Sequence, residues 1–138
     1  MNTHIDARIQ LIKDIHISIR NEENINLDNL TVRIEGGRFF LSFEDKELTF
    51  ETVINYFDGK PTDESLPVLT YKNHTVFFVA NIDEIVQVEN GSPYMNKGHI
   101  KIFMDAIIPT IRGILVEKTR GTSLEKAYLP LVQGEKIS

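Results

Sequence analysis

The chain has 138 residues, 41% apolar and 25% charged, with a net charge of −5 and no cysteine. That length predicts one domain over residues 1–138 with a real core, and the acidic balance argues against sequence-independent nucleic-acid binding, which needs clustered cations. Without cysteine, disulfide frameworks, thiolate metal sites and cysteine nucleophiles are excluded.

Met1 to Asp6 lacks a positive stretch and an unbroken apolar run, so no signal peptide is expected. No apolar stretch approaches the roughly 20 residues that span a bilayer, and a cytoplasmic protein without membrane insertion is expected. In the first segment Ile5, Ile9, Ile12, Ile15 and Ile19 fit a helical stripe, while Ile9, Leu11, Ile15, Ile17 and Ile19 fit alternation. Isoleucine loses rotamer freedom in a helix, which favours a strand and leaves the helix as the alternative. Asn21 to Asn29 reads as a polar loop. Leu30, Val32 and Ile34 then alternate with polar residues, Gly36-Gly37 reads as a tight turn, and Phe39, Leu41 and Phe43 form the next strand.

Glu44-Asp45-Lys46 is a further turn signal, leading to Leu48 through Phe57, a strand or a short helix after Phe50. Asp58 to Ser65 is a loop. Leu66 to Tyr71 and Thr75 to Ala80 suggest a hairpin around Lys72-Asn73-His74, with Ile85 to Val88 prolonging it. Asn90-Gly91-Ser92-Pro93 reads as a break. Beyond it Ile100, Phe103, Met104, Ile107, Ile108, Ile111 and Leu115 recur at helical spacing, with a kink or helix boundary expected near Pro109 and helix to about Thr119. The tail Gln133 to Ser138 is expected to fray.

Chemistry-bearing patterns are sparse. His4, His16, His74 and His99 show no metal-ligand spacing; His74 falls at the expected hairpin tip and His16 on the polar side of a strand. Carboxylates at Glu44-Asp45-Glu47 and Asp63-Glu64 suit turn solvation. The glycines match neither a nucleophile elbow nor a phosphate loop, so no enzyme, metal or cofactor is expected. Aromatic residues say more. Phe39-Phe40 and Phe77-Phe78 are adjacent pairs, and neighbours on a strand point to opposite faces. One member of each pair must leave the core, so the sheet needs cover from a helix, a second subunit or a ligand.

Two portions carry a resemblance. Ile107-Ile108-Pro109-Thr110-Ile111-Arg112 leads to Arg120-Gly121-Thr122 and then to Tyr128-Leu129-Pro130-Leu131, while Ile9 to Ile17 holds Lys13-Asp14-Ile15. Their order is similar to that of the SecB export chaperones, in which a proline-containing opening leads through one helix to a glycine and Lys-Asp-Ile lies in the first strand. The resemblance implies an α+β fold: an antiparallel β-sheet built from the N-terminal two-thirds, packed with a C-terminal helix. It implies a homodimer or homotetramer that holds unfolded preproteins in apolar grooves and passes them to the SecA motor, without catalysis. It places Asp14 on an acidic face for docking SecA, and Pro109, Arg112 and Gly121 at the helix start and end. Ser18 stands where the family has a second acidic docking residue, and Arg112 to Gly121 is one residue shorter than usual.

The functional expectation is an ATP-independent holdase for unfolded or secretory clients, with a dedicated client of toxin–antitoxin type as a variant. Client contact is expected at whichever of Phe39, Phe40, Phe77 and Phe78 lack internal partners. A different small acidic interaction protein, such as a type III secretion chaperone or a phage-type inhibitor, is the alternative.

Overall fold

The computed structural model describes residues 4–20 and 24–129. Four long strands, β1 (Ala7–Ile19), β2 (Leu30–Ser42), β3 (Glu47–Asp58) and β4 (Leu69–Val79), form one antiparallel sheet in the order β1-β4-β3-β2. A short helix α1 (Ile82–Ile85) leads to a hairpin of β5 (Val86–Glu89) and β6 (Ser92–Met95), and the helix α2 (Lys97–Lys118) follows. The fold is therefore α+β, with the sheet drawn from the N-terminal two-thirds and the long helix C-terminal to it.

The central strands read their own burial. In β3, Leu48, Phe50, Thr52, Ile54 and Tyr56 are buried while the residues between them stay half-exposed. Period-2 alternation of this kind puts one face of a pleated strand into the core. In β4 the same face carries Leu69, Tyr71, Asn73, Thr75 and Phe77. α2 lies on that face, burying Phe103, Met104, Ile107, Ile108, Ile111 and Leu115 as a single helical stripe. Phe103 wedges between Phe50 and Phe77, with ring centroids 5.1 and 4.8 Å away. Each such side chain contributes about 1.5–3 kcal/mol by leaving water. Asn96 caps the helix by accepting from the Gly98 N–H at 2.7 Å, and Gly121, with φ 77°, lets the chain turn away beyond its end.

Several expectations change. The first segment is a strand, as its isoleucines favour. Gly36-Gly37 is not a turn: β2 runs straight through it, with a bulge between Glu35 and Arg38 and Gly37 at φ 88°. Two glycines give a bulge the same backbone freedom they would give a turn, and pairing with unbroken β3 decides for the bulge. β3 is strand throughout, so no helix follows Phe50. Lys72-Asn73-His74 is no hairpin tip but the middle of β4, where neighbours on both sides hold it extended. Residues 85–88 do not prolong a hairpin there: Ile85 ends α1 and Val86 opens β5. Asn90-Gly91 is the turn of the β5–β6 hairpin, both residues at positive φ (52° and 79°). That Asn-Gly pair is a strong hairpin signal which reading it as a mere break missed.

Pro109 neither starts nor ends a helix. α2 begins twelve residues earlier, at Lys97, and carries Pro109 on its exposed side. The missing N–H removes one bond from the helical ladder, a cost the buried stripe on both sides of it outweighs. The expected fraying of 133–138 lies outside the described residues.

Candidate functional site

Register assigns each strand residue to a face. Opposite residues in antiparallel strands share a face, so Phe39, Phe50, Thr75 and Ile12 form one row beneath α2. The adjacent row, Phe40, Thr49, Val76 and Leu11, points the other way. Of the four phenylalanines singled out by sequence, Phe77 is 4% exposed and belongs to the core, and Phe39 packs against that core, 6.1 Å from Phe50. Phe40 is 44% exposed on the open face. Phe78 is half-buried on the same face, under the Arg8 guanidinium at 4.8 Å. The pairs thus split between faces as strand geometry requires.

The open face has a consistent chemistry. Arg38 lies 5.2 Å from the Phe40 ring centroid and Arg33 5.5 Å from that of Phe57. Glu51 accepts a hydrogen bond from His74 Nε2 at 2.9 Å and lies 3.7 Å from Arg38. The His74 hydrogen bond, helped by Lys72 and Arg38, holds the Glu51 carboxyl below its usual pKa against the opposing effect of burial. Beside it a shallow depression is lined by Glu35, Gly36, Arg38, Glu51 and Val53. The arginine–aromatic pairs were not singled out from sequence. Arg38 and Phe40, two apart on a strand, carried the signal; Arg8–Phe78 and Arg33–Phe57 needed the register between strands.

At the sheet edge β1 is almost wholly exposed. Ile9, Leu11, Ile12 and Ile15 are 38–45% exposed on the two faces of a strand that, among the described residues, pairs with β4 alone. Asp14 sits in this strand, directed toward α2. It accepts from the Tyr71 hydroxyl at 2.5 Å and pairs with Lys118 Nζ at 3.1 Å, where the helix ends. The Tyr71 bond, with Lys118, holds the Asp14 carboxyl below its usual pKa although partial burial acts against it. The Tyr71 phenol is pushed up, mainly by burial and then by its bond to Asp14. Behind them the fully buried Asn73 donates to Tyr71 and accepts from Thr75, so a polar line runs from the edge into the core. Ser18 is exposed on the opposite face.

Among the described residues no group of histidines and carboxylates is placed to hold a metal, and no helix is long and apolar enough to cross a membrane. No family model and no curated protein matches the sequence. Among solved structures, the chain is similar to the SecB-like chaperone Rv1957 of Mycobacterium tuberculosis, solved with a ChAD peptide from the Rv1956 HigA1 antitoxin. The match covers 92% of this chain and 90% of that one, with a TM-score of 0.58 and 12% identity. The fold is SecB-like. At that identity the likeness concerns the fold alone.

Proposed function

We propose that this chain is an ATP-independent holdase chaperone that acts in the cytoplasm on extended apolar segments of an unfolded or dedicated client protein. The observation that carries the reading is apolar surface left exposed in two adjoining places: Phe40, with half-buried Phe78 on the same open face, and Ile9, Leu11, Ile12 and Ile15 of the β1 edge. The SecB-like fold and the antitoxin peptide bound by the similar chaperone support it, and favour a dedicated client. Burying an exposed phenylalanine against a client contributes about 1.5–3 kcal/mol, so Phe40 can change affinity by about tenfold, and half-buried Phe78 by less. Apolar burial of this kind demands little sequence specificity.

In this reading β1 pairs with the β1 of a second copy. A long, isoleucine-rich edge with unpaired backbone groups invites strand addition, and an antiparallel two-fold partner supplies it while joining two open faces into one surface. The outward side of α2, where Ala106, Pro109 and Gly113 are exposed, lets a second helix approach closely and would join two such dimers. Asp14 is then a positioning group, fixing β1 to the end of α2. A SecA motor docked on its carboxylate would have to displace Lys118.

The deciding experiment is suppression of aggregation of several chemically denatured proteins at stoichiometric ratio without nucleotide. Suppression that falls in Phe40→Ala and Phe78→Ala is expected. Unchanged aggregation for every client, the product of a neighbouring gene included, would refute holdase activity. Sedimentation equilibrium at micromolar concentration is expected to give a dimer or tetramer mass, and a monomer would remove the β1 pairing. Asp14→Lys separates the remaining roles: loss of client holding marks Asp14 as positioning, whereas loss of motor docking alone marks it as a docking residue.

A further inference from the structure

In a chain of net charge −5, the open face of the sheet runs the other way. Register places Arg8, Lys13, Arg33, Arg38 and Lys72 on it against Glu35, Glu47 and Glu51, with His16 and His74 beside them. Two of the three carboxylates are engaged: Glu51 by His74 and Arg38, and Glu47 by the Gln10 side-chain amide at 3.4 Å. Among the described residues no carboxylate lies within ion-pair distance of Arg8, Lys13, Arg33 or Lys72. Among the described strand residues the cations on this face outnumber its anions.

Three of those cations are held in one manner. The guanidinium groups of Arg8, Arg33 and Arg38 lie 4.8, 5.5 and 5.2 Å from the ring centroids of Phe78, Phe57 and Phe40. A guanidinium resting on a ring can spend its flat side there and turn its N–H edge outward, the edge that grips a carboxylate with two parallel hydrogen bonds; at Arg38 that edge is shared with Glu51, 3.7 Å away. Between the cations lie Leu11 and Phe40, 45% and 44% exposed, with Thr49 and the nearly buried Val76 between them in the same row. A surface of apolar row and forked cations complements a chain that alternates apolar side chains with carboxylates. Polyphosphate suits it less: Glu35, Glu47 and Glu51 stand among the cations, and the whole chain repels it.

We propose that the open face binds an acidic, partly apolar protein segment in extended form. Its aspartates and glutamates meet Arg8, Arg33 and Arg38, and its apolar side chains lie on Leu11 and Phe40. The proposal rests on the client-holding reading and names the class of client. It also reverses the simplest inference from net charge, that an acidic protein of this kind seeks a basic partner.

The test uses two labelled peptides of about 12 residues, enough to follow one strand of this sheet. They share the same leucine and phenylalanine positions; one carries aspartate and glutamate between them, the other lysine and arginine. Fluorescence anisotropy at low salt is expected to show the acidic peptide binding about tenfold or more tighter, with the preference shrinking toward 1 M salt as screening shortens to about 3 Å. The Arg33→Glu/Arg38→Glu variant, at two exposed positions, is expected to reverse the preference while its circular dichroism stays that of the parent. Equal affinities, a preference for the basic peptide, or tighter binding of a single-stranded oligonucleotide of similar length would overturn the proposal. Its fate separates from that of the holdase reading. Suppressed aggregation with indistinguishable peptides leaves a holdase whose open face is unselective. A strong acidic preference without suppression leaves a docking face for a dedicated acidic partner.

Discussion

The two faces of the four-stranded sheet come from the same strands, residue by alternate residue, yet they solve opposite problems. Beneath α2, Phe50 is fully buried and touches Phe39, Phe77 and Phe103. On the other side Phe40, beside Phe39 in sequence, is 44% exposed with Arg38 across its ring. The same side-chain chemistry stabilises the fold on one face and is free to serve a partner on the other. What separates them is not propensity but the position of one helix.

That contrast can be broken most directly by paired truncation. Phe50→Ala leaves a cavity among three other rings and is expected to cost about 3–5 kcal/mol in urea unfolding. Phe40→Ala is expected to cost under about 1 kcal/mol in the same experiment, since an exposed ring has little packing to lose. Similar losses at both positions would mean that the open face is covered. A smaller effect is expected inside the polar line that reaches the edge strand. Tyr71→Phe removes the hydroxyl that joins Asp14 to buried Asn73, leaving the Asn73 amide without that acceptor, and is expected to cost about 1–3 kcal/mol.

The β2 bulge gives a third test, of backbone rather than contact. A Cβ at Gly37 would meet Ile100 Cγ2 at 3.5 Å, an ordinary contact, so space is not the obstacle. Its φ of 88° is, and Gly37→Ala is expected to cost about 1–2 kcal/mol. No loss at all would indicate that β2 relaxes into a different register.

The smallest effect concerns pH and the partly exposed Asp14. Its folded carboxyl binds a proton less readily than the unfolded one, through the Tyr71 hydroxyl first and Lys118 after it. Such a group stabilises the fold above its unfolded pKa, ordinarily 3.8, and loses that contribution as pH falls through the lower folded value. The urea midpoints of the parent and of Asp14→Asn are therefore expected to differ at pH 7 and to converge below pH 3.8. A gap that stays constant through that range would show that the carboxylate's charge is not what ties β1 to α2.

Much of the fold was legible. Isoleucine-rich alternation marked β1, the period of Leu30, Val32 and Ile34 marked β2, and the stripe from Ile100 to Leu115 marked α2. The errors share a cause. Gly36-Gly37, Lys72-Asn73-His74 and Pro109 each carry a local signal to stop, and in each the chain continues because strands or core packing on both sides oppose the interruption. Of the candidate site, the alternation of Phe39-Phe40 and Phe77-Phe78 between faces was readable, since it follows from strand geometry alone. The guanidinium over Phe40 was within reach, since Arg38 lies two residues away, but the one over Phe78 was not, because Arg8 and Phe78 are far apart in sequence and meet only through the β1–β4 register.

The sequence by itself determined the strand period of Leu30 to Ile34, the helical stripe of α2, the acidic balance and the demand that aromatic side chains emerge on both faces of the sheet. These are properties of neighbours along the chain, fixed by side-chain period and composition. The tertiary structure alone decided which face α2 covers, that Asp14 is engaged by Tyr71 and Lys118, and that the uncovered face of an acidic protein is cationic. Those facts depend on which distant residues share a face, and strand order and register set that, not any local run of residues.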